Sequence, residues 1–98
     1  MTNIAEYRYI IVEIISAARE NSRHKVRARP LQGQWANADL RMECPTGIRK
    51  PSNVGQLYKV RAKIKNTETS QQLYTSYHWQ PELVTSKDAA VFIEAHCA

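Results

Sequence analysis

Cysteine is nearly absent, and what there is carries no pattern. Cys44 and Cys97 are the two thiols in 98 residues, too few for a disulfide framework. Together with His24, His78 and His96 they never fall into the paired spacing of a zinc site. His96 and Cys97 are adjacent, so on a helix they diverge by about 100° and cannot easily share a metal. Long apolar runs are missing too. No stretch approaches the ~18 residues of a membrane span, because Ile10-Ile11-Val12-Glu13-Ile14-Ile15 is interrupted by Glu13. Glu6 precedes that run where a secretion signal would carry a basic head. These absences predict a cytosolic protein, with no membrane association and both thiols reduced. Catalytic patterning is equally thin. Glu13, Glu43 and His78 form no acid–base constellation that a reaction would require, and each reads as a solvated or core residue. No enzyme activity, cofactor or metal is expected.

The remaining composition is that of a globular chain: 43% hydrophobic and 23% charged residues are near average usage. Residues 1–98 are expected to form one domain with a single modest core. Positive charge is the feature in surplus, and it is unevenly placed. Residues 19–65 hold twelve Lys and Arg against Glu20, Asp39 and Glu43, while the two flanks are net acidic. A basic body with acidic ends suits an anionic partner.

Alternation between two faces recurs along the chain. Residues 5–16 are dense in Ile and Val, whose stiff χ1 favours extended backbone. Both faces of that segment are apolar, which points to a central or strongly bent strand, although Ile11, Ile14, Ile15 and Ala18 also fit a helical spacing. The polar break Arg19–Arg23 suits a turn. Lys25, Arg27 and Arg29 then point one way and His24, Val26 and Ala28 the other, until Pro30 ends the strand for want of an N–H. Leu31–Asn37 reads as a loop whose Trp35 folds back over the end of a core. Leu40-Arg41-Met42-Glu43-Cys44 is a third short strand with Leu40, Met42 and Cys44 inward. The segment Ile48–Gly55 reads as a connector, since it lacks the Gly-rich spacing of a phosphate loop.

The fourth strand is the most informative. In Tyr58-Lys59-Val60-Arg61-Ala62-Lys63-Ile64-Lys65 every second residue is basic, which makes one apolar face and one row of positive charge. The fifth, Gln72–Trp79, completes a hairpin around residues 66–71. Centring the turn pairs Lys65 with Gln72, Lys63 with Tyr74, Arg61 with Ser76 and Lys59 with His78. Ile64 then meets Leu73 and Tyr58 meets Trp79 on the other face, a register that a one-residue slip would spoil. Thr85-Ser86-Lys87-Asp88 carries a capping pattern for a C-terminal helix, with Val91, Phe92 and Ala95 on its apolar stripe.

The expected fold is therefore mainly β with one C-terminal helix (α+β). It is a small curved antiparallel sheet, or an SH3-like or OB-like barrel, of about five strands; Pro51 and the lack of helical period between strands three and four tell against a standard OB arrangement. The expected core is Ile10, Val12, Ile14, Val26, Leu40, Met42, Val60, Ile64, Tyr77, Trp79, Phe92 and Ile93. The expected function is non-catalytic binding of nucleic acid, single-stranded DNA or RNA, on the basic sheet face. Lys59, Arg61 and Lys63 hold phosphates with Arg27 and Arg29 in support, Tyr74 stacks on bases, and His78 stacks or donates a hydrogen bond. The alternative is a small adaptor or inhibitor that docks an acidic protein surface with the same face. A solvated face that discourages edge-to-edge aggregation is the blander account of either basic row. Oligomeric state is not legible.

Overall fold

The computed structural model describes residues 7–16, 26–36, 40–42, 46–66, 71–75 and 80–96. Its organising element is β1 (Arg8–Ser16), and the β-branched run does become a strand rather than a helix. β1 pairs antiparallel with β4 (Leu57–Asn66) through residues 8–13. It pairs with β2 (Val26–Pro30) on its other side through residues 12–16. Handing over from one neighbour to the other at Val12 and Glu13 makes β1 central and bends the sheet, as its two apolar faces foretell.

A two-residue strand, β3 (Arg41–Met42), joins the ends of the curl. Met42 pairs antiparallel with Ala28 of β2 and parallel with Leu73 of β5 (Gln71–Tyr74). β5 returns antiparallel to β4. The result is a curled half-barrel in which pairing runs β1-β2-β3-β5-β4 and back to β1. Between β3 and β4 lie two 3-10 turns, Thr46–Ile48 and Pro51–Asn53. A further short strand, β6 (Glu82–Val84), lies along β4 beyond β5, and α1 (Ser86–His96) ends the described chain. Among the described residues no helix is long and apolar enough to cross a membrane.

The core fills the curl. Ile10, Val12 and Ile14 of β1 meet Val26 and Ala28 of β2, Met42 of β3, Tyr58, Val60 and Ala62 of β4, and Leu73 of β5. Small residues at Ala28 and Ala62 suit the narrow interior of a tight barrel. Of the expected core, Leu40 is partly buried against this cluster, whereas Ile64, near the end of β4, is 39% exposed. Tyr77 and Trp79 lie outside the described residues.

Phe92 and Ile93 correct the expectation in another way: they are half-buried and absent from the main core. α1 packs on the outside of the sheet, where the Phe92 ring lies 5.7 Å from the Lys59 ammonium. Val91 and Ala95 are exposed, while Ala89 is the buried residue of the helix. The cap forms as the sequence predicts. Thr85 Oγ1 accepts from the Asp88 N–H at 3.0 Å, and the Thr85 N–H donates to Asp88 Oδ2 at 3.4 Å. Beneath the helix, Gly33 has a φ of +87° and an added Cβ would stand 3.5 Å from Ile93. That distance is ordinary van der Waals contact, so it is the left-handed backbone and not the helix packing that selects glycine there.

Candidate nucleic-acid interface

The outward face of β4 carries the basic row, and the register fixes what stands beside it. On the β1 side Tyr9 is opposite Arg61 and Ile11 opposite Lys59. On the other side Tyr74 is opposite Lys63, Gln72 opposite Lys65, and Glu82 opposite Lys59. Each of the four cations lies against a tyrosine ring. Lys59 Nζ and the Arg61 guanidinium are 5.3 and 4.9 Å from the centre of Tyr9. Lys63 Nζ is 5.4 Å from Tyr7, and Lys65 Nζ is 5.6 Å from Tyr74. The negative face of an aromatic ring attracts a cation, by about 0.5–1 kcal/mol at an exposed site. The rings therefore spread a like-charged row over a firm surface instead of leaving four flexible side chains in water.

Polar contacts add direction. Arg61 Nη2 donates to Tyr9 Oη at 2.7 Å, and Lys59 pairs with Glu82 at 3.1 Å. Tyr9 is 46% exposed and Tyr74 is 41% exposed, whereas Tyr7 is nearly buried. Tyr7 and Tyr74 are ring neighbours at 6.4 Å. The structure thus brings Lys59, Arg61, Lys63 and Tyr74 together on one face, as the alternation predicts.

The second basic strand stands apart from that cluster. Arg27 and Arg29 also face outward, but on the far side of β1, opposite Ile15 and Glu13. Arg29 is therefore two strand spacings from β4, roughly 10 Å, and its guanidinium contacts Glu13 at 3.2 Å. His78 and Ser76 lie outside the described residues. The expected pairing of Lys59 with His78 is replaced by Lys59 with Glu82. The predicted hairpin register holds from Lys65 to Lys63, and Thr75 Oγ1 still donates to the Arg61 carbonyl at 2.6 Å. Lys59 lies four residues before Lys63, yet its partner Glu82 lies eight after Tyr74, so the register along β4 shifts by four between β5 and β6. The pattern of alternation carries no mark of that shift.

Sequence reasoning misses Tyr7, Tyr9 and Glu82 as site residues. Tyr7, Tyr9 and Ile11 share a face, but Ile11 is fully buried there, so the strand looks apolar on both sides. Ile11 is covered by the loop after β2. The Gln34 amide receives the Ile11 N–H at 2.7 Å and donates to the Ile11 carbonyl at 2.8 Å, standing in for a missing strand. Trp35 Nε1 donates to the Tyr9 carbonyl at 2.9 Å, and the indole is half-buried with Arg8 4.9 Å from its centre. Trp35 does fold back as expected, and in doing so it holds the backbone of Tyr9. The connector before β4 is likewise ordered by its own bonds, among them Asn53 Nδ2 to the Ile48 carbonyl at 3.0 Å.

A depression of about 290 Å³ opens between these elements, lined by Tyr9, Lys59, Arg61, Gln80 and Glu82. Among the described residues no three His, Cys, Asp or Glu side chains group to hold a metal ion. No family model, no curated protein and no solved structure matches the chain.

Proposed function

We propose that this protein is a non-catalytic module that binds single-stranded nucleic acid on the outward face of β1, β4 and β5, in the cytosol. The observation that supports this most is the interleaving of Lys59, Arg61, Lys63 and Lys65 with Tyr7, Tyr9 and Tyr74. Cations spaced by two residues along a strand follow a phosphate backbone, and exposed rings receive unpaired bases at ~1–3 kcal/mol each. Tyr9 and Tyr74 are the rings open to that contact. Duplex bases keep their faces stacked, so a surface of this kind favours single strands. Arg27 and Arg29 add to the positive field from across β1.

Fluorescence anisotropy with labelled single-stranded DNA, single-stranded RNA and duplex tests the reading. The expected result is micromolar or tighter binding at low salt, stronger for single strands and falling steeply as salt rises. An absence of binding even at low salt contradicts the reading, and the basic face then belongs to solubility or to an acidic protein partner.

A further inference from the structure

The depression beside Tyr9 holds a mixture that phosphate binding does not explain. Two of its lining groups are cations, but Glu82 contributes a carboxylate and Gln80 an amide. A carboxylate repels phosphate, so its presence in the middle of a phosphate-tracking face calls for a different ligand group. Lys59 and Glu82 are cross-strand partners, and Nζ lies 3.1 Å from Oε2. A donor and a two-oxygen acceptor are thus held side by side at one wall, with the Tyr9 ring and the Arg61 guanidinium 4.9 Å apart at the other.

We infer that this pocket takes one unpaired guanine, read by Glu82 and Lys59. The inference rests on the single-strand reading above and names the base that the same face selects. A carboxylate accepts hydrogen bonds and donates none, and its two oxygens suit two parallel donors. Guanine alone among the common bases presents two adjacent donors, N1–H and N2–H, beside an acceptor, O6. Glu82 receives the two donors while Lys59, with three N–H groups, donates to O6. Adenine, cytosine and uracil each set a ring nitrogen or carbonyl lone pair beside their single donor group, facing the carboxylate. A site built around hydrogen bonds discriminates strongly against such analogues. The volume, at the low end for small-molecule sites, suits one base with its sugar. The base stacks on Tyr9 or the Arg61 guanidinium, and the backbone leaves along Lys63.

The test uses the full chain and labelled eight-nucleotide uridine strands with one central uridine kept or replaced by guanosine, adenosine or cytidine. Anisotropy at fixed salt is expected to show the guanosine strand bound roughly tenfold more tightly than the others. In E82Q the preference collapses, while the all-uridine strand binds more tightly because a negative charge has gone. Glu82 is exposed, and a thermal melt confirms that the variant folds. Equal binding of all four strands by the wild-type protein overturns the guanine assignment and leaves the single-strand reading intact. A guanosine preference that survives in E82Q also overturns it. If none of the strands binds, the single-strand reading itself fails and the guanine site with it.

Discussion

At the scale of single residues, Gln34 shows how a side chain completes a sheet. β2 pairs with β1 down to Val12, and beyond it the fully buried Ile11 has the Leu31 N–H on its carbonyl at 3.1 Å while its own N–H is left to a side chain. An amide supplies an acceptor oxygen and two N–H donors, so Gln34 receives the Ile11 N–H and donates both to the Ile11 carbonyl and, at 3.0 Å, to the Leu31 carbonyl. A buried N–H without a partner costs about 1–3 kcal/mol. Q34A is therefore expected to lose stability of that order, read from urea unfolding, and Q34E to lose stability as well, because a carboxylate oxygen in place of the NH2 group faces the Ile11 and Leu31 carbonyls with no proton to donate. A wild-type midpoint in both variants contradicts this role. The residue gives no sign of it in the sequence, where Gln32 and Gln34 look alike in a polar loop. The same blindness hides Tyr9, since nothing in Tyr7-Arg8-Tyr9 says that the neighbouring strand carries Arg61 and Lys63. Local alternation reports which face a side chain takes, and only pairing reports what stands beside it.

At the scale of elements, short-range chemistry was readable and long-range placement was not. The alternation of β2, and of β4 as far as Ala62, foretells which of their side chains are buried, because period two is a property of extended backbone alone; Ile64, near the end of β4, is exposed. The hairpin register from Lys63 to Lys65 follows from turn length and face matching. Its failure at Lys59 is a four-residue shift of register between β5 and β6, which alternation does not report, although Pro81 stands immediately before β6. The helix divides in the same way. Its start is written in Thr85 and Asp88, but of the expected stripe through Val91, Phe92 and Ala95 only Phe92 turns inward, beside Ala89 and Ile93, while Val91 and Ala95 are exposed. That choice depends on where the outer surface of β4 lies. At eleven residues α1 is too short to persist alone, so its cap should matter locally. T85A is expected to weaken the helix by about 1 kcal/mol. The expected signature is faster amide exchange across the first turn of α1 with little change in β1 and β4, since elements open locally. Uniform loss of protection throughout the sheet contradicts a local role.

At the scale of the whole molecule, one long bent strand organises both stability and the candidate site. β1 buries Ile10, Val12 and Ile14 on the inside of the curl, and it sets Tyr9 beside the cations of β4 on the outside. The curl thereby separates two basic strands that the sequence makes equivalent: β4 is lined by rings, and β2 is set across β1 with Arg29 engaged by Glu13. Net charge would treat all of these residues alike, but the geometry concentrates the proposed binding in β4. Phosphate contacts announce themselves through the release of counterions, with a slope in log K against log salt of about 0.7 per contact on a single strand. The direct measurement is the salt dependence of single-strand binding by the wild-type chain and by a variant carrying R61A and K63A together. A central role for this face predicts weaker binding at every salt concentration and a slope shallower by about 1.4. An unchanged slope and affinity in the double variant would contradict it and remove the β4 face from the account.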